Sequence, residues 1–148
     1  MKTYKSTISE IQLKKLPSEF KKVKITKSED ASNYIKQFYS DDIEIFESMF
    51  LLLLNQANNT IGYAKISQGG ITGTVVDVKI ILKYAIDSLA SGVILAHNHP
   101  SGTLKPSKAD LDVTDKVKKA LNMVDCRLLD HVIVTKDSFY SFADNGNL

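Results

Sequence analysis

A short apolar run that ends in two histidines restricts the fold more than any other part of the sequence. Residues 93–96 (Val-Ile-Leu-Ala) have the pattern of a buried strand, and His97-Asn98-His99-Pro100 follows directly. Side chains two positions apart on a strand lie on the same face, so we expect the two imidazoles to face one ion together. The proline and the Ser-Gly pair after it predict a turn. The sequence therefore predicts a strand whose carboxyl end presents a histidine pair.

A helix is predicted over residues 107–124, and its first turn carries an acidic side chain. Ser107 is a residue type favoured at the N-cap, and Asp110 stands three positions later. Such a pair is also a plain helix start, with the carboxylate at the positive end of the helix. Beside two histidines it supports a metal site, in which His97, His99 and Asp110 are the ligands. Three protein ligands leave one tetrahedral position for water, as in catalytic rather than structural zinc sites.

Length and charge limit the possible classes of protein. A chain of 148 residues is long enough for one domain with a hydrophobic core. The net charge of +2 gives no general attraction for nucleic acid. We predict that residues 1–25 are a solvated lysine-rich extension rather than a phosphate-binding surface. The lysines of this extension that lie close together are Lys14, Lys15, Lys21, Lys22 and Lys24.

Cysteine content and hydropathy point to the cytoplasm. Cys126 is the only cysteine, which excludes a disulfide framework and a cysteine-rich zinc site. We expect this thiol in the core, and a lone cysteine is compatible with a reducing cytoplasm. The N-terminus lacks the apolar segment of a secretory signal. The strongest apolar run, residues 50–54, is too short to cross a bilayer, so we expect no membrane partner.

Hydrophobic periodicity predicts helices that alternate with buried strands. A polar turn at residues 55–59 separates two apolar stretches and predicts a hairpin, which is incompatible with a purely parallel sheet. The predicted class is therefore α/β, with a mixed central sheet flanked by helices. The predicted elements are an edge strand at 23–25, a helix with Ser28 as N-cap, strands at 49–54 and 60–66, a glycine loop around Gly69, Gly70 and Gly73, a helix at 78–89, a strand at 93–96, a helix at 107–124, a strand at 128–134 and an edge piece at 139–142.

A hydrolase that uses a metal-activated water also needs a group that accepts and later delivers a proton. Asp112 and Asp115 lie further along the predicted helix, where we expect them to face solvent. Glu47 precedes the buried strand at 49–54 and could face a pocket at the end of the sheet, although an acid at a strand start is usually solvated. The alternatives to Glu47 are the loop acids Asp41, Asp42 and Glu44.

The third histidine lies within an apolar strand. His131 follows Asp130, so we expect one of the two side chains to point inward. We interpret His131 as a hydrogen-bonded core residue. A partner of the metal-binding residues is the alternative.

These residues together resemble the JAMM (MPN-plus) metalloprotease signature. That signature has an upstream Glu, then His-x-His-Pro, then Ser-x-x-Asp, with ten residues between the second histidine and the aspartate. The matching positions are Glu47, residues 97–100 and residues 107–110. The amino-acid sequences of residues 94–102 and 128–134 resemble, more specifically, the RadC-like branch of this family. The likeness runs from about residue 22 to the end, and it implies a JAB/MPN domain over residues 26–148 with a fold similar to cytidine deaminases.

The resemblance also implies a role for each matching residue. His97, His99 and Asp110 would hold Zn²⁺, Glu47 would act as general base and acid, and Ser107 would help to stabilise the oxyanion. The implied function is a zinc metallopeptidase or isopeptidase that acts on a peptide or protein substrate. The alternatives are a RadC-associated protein that processes nucleic acid or assists DNA repair, and a non-catalytic MPN scaffold.

Two features depart from the RadC-like branch. Asp77-Val78-Lys79-Ile80 stands where that branch usually has an Arg-Glu pair. The lysine-rich arm is also too short for the helix-hairpin-helix region of longer RadC proteins, so we expect DNA contact to be weak. Two other metal-enzyme signatures are absent: His-x-Glu with a later Pro-Cys-x-x-Cys, as in deaminases, and His-Glu-x-x-His.

Overall fold

One five-stranded sheet organises residues 7–69 and 75–148, which are the residues that this computed structural model describes. Gly70 and Gly73 of the predicted glycine loop lie outside these residues. Within the described ranges the helices are α1 (Ser28–Lys36), α2 (Val78–Asp87) and α3 (Lys108–Asn122), and a 3-10 turn spans Asp41–Glu44. The strands are β1 (Ser48–Leu54), β2 (Thr60–Gln68), β3 (Gly92–Asn98), β4 (Arg127–Val134) and β5 (Phe139–Ser141).

The sheet is mixed, with the strand order β2-β1-β3-β4-β5. β1 is antiparallel to both β2 and β3, whereas β3 and β4 are parallel and β5 returns antiparallel to β4. The parallel pair requires a crossover, which α3 supplies, and the β1–β2 hairpin supplies the antiparallel side. The predicted α/β class with a mixed sheet flanked by helices is therefore confirmed.

Helices cover both faces of the sheet, and for this reason the central strands β1 and β3 are mostly apolar, with polar residues only at the end that carries Ser48, His97 and Asn98. Every residue of β1 and of β3 is buried. α2 and α3 pack on one face through Ile81, Val117 and Leu121, and α1 packs on the other through Ala31 and Ile35. Cys126 lies in the first of these clusters, as predicted. No helix within the described ranges has the length and apolar character needed to cross a membrane.

Two predicted elements at the N-terminal side of the domain are wrong in detail. The N-cap of α1 is Lys27 rather than Ser28, because the Asp30 carboxylate accepts the backbone N–H of Lys27 and closes the first turn one residue earlier. The predicted strand at 23–25 is a single bridge between Lys24 and Asn59. Residue 23 nevertheless contacts the start of β2, because its carbonyl accepts a hydrogen bond from the N–H of Thr60 at 2.9 Å.

Candidate metal centre

The carboxyl end of β3 brings two imidazoles together. His97 is the penultimate residue of β3 and His99 follows the strand, so the two side chains emerge on the same face. Their Nε2 atoms lie 2.9 Å apart. The His97 side chain is 1% exposed and that of His99 is 14% exposed, so the pair spans the boundary between the core and the surface.

The first turn of α3 adds a carboxylate to this pair. Ser107 is the N-cap of α3: its hydroxyl oxygen accepts the N–H of Asp110 at 3.0 Å, and the Asp110 carboxylate accepts the N–H of Ser107 at 2.8 Å. This reciprocal cap holds Asp110 with Oδ1 3.3 Å from His97 Nε2 and Oδ2 3.3 Å from His99 Nε2. The structure therefore shows the plain helix cap, and the capped carboxylate also lies where a ligand was predicted.

Glu47 approaches the same point from the segment before β1. Its Oε1 lies 3.7 Å from His97 Nε2, and its side chain is 16% exposed. One ligand atom from each of Glu47, His97, His99 and Asp110 lies within 4.8 Å of the others. The loop acids proposed as alternatives to Glu47 lie in or beside the 3-10 turn, and Glu44 pairs with Lys136 at 3.9 Å on the surface.

Asn98, between the two histidines, points to the other face of β3 and holds the segment that carries Glu47. The amide of Asn98 donates to the carbonyls of Ile43 and Phe46, and its oxygen accepts the N–H of Ser48 at 2.7 Å. Both amide hydrogens and the carbonyl oxygen of this buried side chain are thus paired. The sequence analysis missed this residue. Its position between two candidate ligands was the available signal.

His131 is fully buried and lies against His97. Its Nε2 is 2.7 Å from His97 Nδ1, and its Nδ1 is 2.6 Å from the hydroxyl of Thr114. His131 is thus a hydrogen-bonded core residue, as predicted, and it is also a partner of the candidate ligand His97, which was the alternative. One of Asp130 and His131 was expected to point inward, and both are buried. The buried Asp130 carboxylate accepts hydrogen bonds from the hydroxyl of Ser141 and the N–H of residue 143.

The charges in the cluster favour a deprotonated carboxylate. Burial acts to raise the pKa of Asp110, but the hydrogen bonds from His97 and His99 outweigh it and hold that pKa well below its usual range. The hydrogen bond to Asp110 raises the pKa of His99. Burial holds the pKa of His131 well below its usual value, which keeps this imidazole neutral. A metal cation bound between the two imidazoles would pair with the Asp110 carboxylate in place of these hydrogen bonds.

The donor set fits a metal ion. Two imidazole nitrogens and a carboxylate that converge on one point are the ligands that zinc takes in catalytic sites. His99 Nδ1 donates to the carbonyl of Thr103 at 2.8 Å, so Nε2 is the nitrogen that could bind a metal ion. The group formed by Glu47, His97, His99 and Asp110 could therefore hold a metal ion.

Comparison with known proteins places this centre in a family. A family model described as RadC-like JAB domain matches residues 25–147. A UPF0758 protein of Flavobacterium johnsoniae is 43% identical over 123 residues, which are 83% of this chain and 53% of that protein. A UPF0758 protein of Porphyromonas gingivalis is 44% identical over 125 residues, or 84% of this chain and 54% of that protein.

A third relative is closer in length. The UPF0758 protein YfjY of Escherichia coli is 43% identical over 102 residues, which are 69% of this chain and 64% of that protein. The chain spans about half the length of the two relatives named before it. The family model covers the histidine pair, the capped aspartate and Glu47. The resemblance seen in the motifs is thus confirmed, and the chain belongs to the RadC-like JAB domain family.

Proposed function

We propose that this protein is a zinc-dependent metallohydrolase of the metallopeptidase or isopeptidase type. The observation that carries the proposal is the position of Glu47, whose carboxylate lies 3.7 Å from His97 Nε2 beside the two imidazoles and Asp110. A structural site would be complete with its ligands, whereas an additional acid at the edge of the ligand set suits proton transfer.

In this proposal the two histidines and Asp110 bind the metal, and Glu47 transfers the proton. His97, His99 and Asp110 would hold the metal, since their donor atoms face one another and are fixed by strand, cap and hydrogen bonds. Bound Zn²⁺ supplies Lewis acidity and lowers the pKa of a coordinated water. The Glu47 carboxylate accepts the proton of the attacking water and donates it to the leaving amine.

Ser107 would stabilise negative charge on the substrate. Its hydroxyl oxygen accepts the N–H of Asp110, so its own hydrogen is free to donate. The exposed hydroxyl thus provides a donor for the oxyanion that forms when a carbonyl is attacked. The other side chain of the α3 cap, the Asp110 carboxylate, has no hydrogen to donate.

A cleft of about 230 Å³ adjoins His99. Its walls are residues 99–102, residues 135–138 and Ile43 with Glu44. We propose a peptide or isopeptide bond as the substrate class, because the motifs of the site resemble a metalloprotease signature.

A second candidate, action on nucleic acid, has one observation in its favour. Residues 7–19 of the N-terminal extension form neither helix nor strand. The described lysines of the extension are exposed, namely Lys14, Lys15, Lys21, Lys22 and Lys24. Such a segment can make salt-sensitive contacts with phosphates without reading a base sequence. The net charge of +2 adds no general attraction, so this candidate ranks second.

The two candidates are separated by one panel of substrates. Zinc-loaded protein is incubated with a fluorogenic peptide library, an isopeptide-linked protein conjugate, and single- and double-stranded DNA, each with and without a chelator. We expect chelator-sensitive cleavage of a peptide or isopeptide bond. Glu47→Gln should reduce the rate by roughly 100-fold, the scale of a lost general base.

The matched control for this variant is Glu29→Gln on α1, which makes the same chemical change at an exposed position. It should cleave at the wild-type rate. Cleavage of DNA alone, or peptide cleavage that the chelator does not affect, would overturn the proposal. Zinc-loaded protein that cleaves none of the substrates would instead support a scaffold.

A further inference from the structure

A chain of three buried hydrogen bonds leads away from His97 and returns to the metal centre at another element. His97 Nδ1 lies 2.7 Å from His131 Nε2, and His131 Nδ1 lies 2.6 Å from Thr114 Oγ1. The Thr114 hydroxyl donates to the backbone carbonyl of Asp110 at 2.6 Å. His97, His131 and Thr114 are each at most 1% exposed, so water cannot substitute for a missing partner.

The direction of every proton in this chain follows from its last acceptor. A carbonyl can only accept, so Thr114 must give its single hydroxyl hydrogen to the carbonyl of Asp110. The Thr114 oxygen then accepts from His131, which must carry its hydrogen on Nδ1. A fully buried imidazole is disfavoured in its charged form, so His131 Nε2 carries a lone pair.

This lone pair determines the state of His97. His131 Nε2 accepts a hydrogen from His97 Nδ1, because two lone pairs 2.7 Å apart would repel each other. His97 therefore carries a hydrogen on Nδ1, which makes Nε2 the nitrogen that can bind a metal ion. That Nε2 is the atom that faces His99, Asp110 and Glu47.

We propose that His131 and Thr114 are positioning residues that hold His97 in its metal-binding tautomer and tie β3 to the first turn of α3. The inference rests on the proposed metal site. It gives a role to two residues, His131 and Thr114, that are not among the four groups of that site. One end of the chain is a ligand of β3, and the other end is the backbone of a ligand in α3.

The need for these residues follows from the surroundings of the two histidines. His99 lies near the surface and orients itself on the carbonyl of Thr103 in its own loop. His97 lies deeper, and His131 is the group that meets its Nδ1. Phe142 stacks on the His131 ring, with centroids 4.4 Å apart and an angle of 11° between the planes, which fixes the plane of that ring.

Zinc affinity of Thr114 variants tests the inference without any substrate. Thr114→Val keeps the shape and removes the hydroxyl, whereas Thr114→Ser keeps the hydroxyl. We expect Thr114→Val to weaken zinc binding by about 10- to 100-fold, the scale for a lost outer partner. Thr114→Ser should bind within a few-fold of wild type. Affinity is measured on the metal-free protein by competition with a chromophoric chelator.

Thr60→Val is the matched control, because Thr60 is a buried threonine whose hydroxyl oxygen accepts a backbone N–H at 2.9 Å away from the cluster. It should bind zinc as wild type does. The inference is overturned if Thr114→Val binds zinc as tightly as wild type, or if Thr114→Ser loses as much affinity as Thr114→Val.

Tautomer states provide a second measurement that does not depend on any variant folding. The chain has three histidines, so the imidazole nitrogen signals are readily assigned by NMR of the metal-free protein. We expect His97 and His131 both to carry hydrogen on Nδ1. A hydrogen on Nε2 of His131, or a His97 ring without a hydrogen on Nδ1, would contradict the inference. Wild-type protein that binds no zinc would instead refute the proposed function, while the tautomer result would still decide the hydrogen-bond chain.

Discussion

Asn98 accepts a hydrogen bond from the backbone N–H of Ser48 at 2.7 Å, across 50 positions of sequence. The end of β3 thus has different contacts on its two faces. His97 and His99 point toward the candidate metal centre, while Asn98 between them hydrogen-bonds the segment that carries Glu47. The His-Asn-His sequence therefore sets the positions of the two candidate ligands and of Glu47 together.

Replacing Asn98 should separate metal binding from the placement of the acid. In Asn98→Asp the two amide donors become acceptors that face the carbonyls of Ile43 and Phe46. An unsatisfied buried polar group costs roughly 1–3 kcal/mol, so the segment should loosen. We expect faster hydrogen exchange at residues 43–48 with unchanged zinc stoichiometry. Asn33→Asp, at an exposed position of α1, is the control, and unchanged exchange in Asn98→Asp would refute the role.

Glu47→Gln should retain its zinc. The amide keeps the shape of the side chain but cannot take the proton of a water. Because His97, His99 and Asp110 are the proposed ligands, metal content by elemental analysis should equal that of wild type. A variant that loses its zinc would show that Glu47 is itself a ligand rather than the base.

Two substitutions at Ser107 should separate the helix cap from the catalytic donor. Ser107→Ala loses both functions, and we expect its free energy of unfolding to be about 1 kcal/mol lower than that of wild type. Ser107→Asp restores a cap acceptor but has no hydrogen to donate. Urea unfolding should show recovery of stability in Ser107→Asp, while its rate of hydrolysis stays as low as that of Ser107→Ala. Recovery of the rate would exclude the oxyanion role.

Asp130 should give the fold a measurable pH dependence. Burial raises the pKa of its carboxyl above the usual 3.8, against the hydrogen bonds from Ser141 and two backbone N–H groups. The folded state therefore binds this proton more readily than the unfolded state in the window just above pH 3.8. The free energy of unfolding should fall as pH rises through that window. Asp130→Asn should lack this component in urea titrations, whereas the exposed Asp112→Asn should keep it.

Local patterns in the sequence were sufficient for most of the fold. The apolar runs of β1 and β3 and the stripe of α3 predicted buried elements, because both faces of the sheet are covered. The start of α1 was misplaced because Asp30 caps it through its carboxylate, and a serine at the expected position offered a more familiar cap. The four metal-centre residues were identifiable because they stand at strand and helix ends with recognisable spacing.

The supporting contacts could not be predicted in the same way. Asn98 reaches Ser48 and His131 reaches His97 across strands that are distant in sequence. Thr114 stands beside apolar positions of α3 and differs from an ordinary buried helix residue only through its partner in β4. Such pairings depend on strand order and register, and hydrophobic periodicity predicts neither. In the parallel pair of β3 and β4, for example, His97 lies opposite Ile133.

Metal content is the most direct test of the central claim. Wild-type protein and His97→Ala/His99→Ala are equilibrated with zinc, separated from free metal by gel filtration, and analysed by mass spectrometry of the elements. Circular dichroism checks that the variant keeps the helices and sheet, whose core is formed by other residues. We predict about one zinc ion per chain for wild type, as in sites with three protein ligands, and none for the variant. Stoichiometric zinc in the folded variant, or none in wild type, would contradict the account.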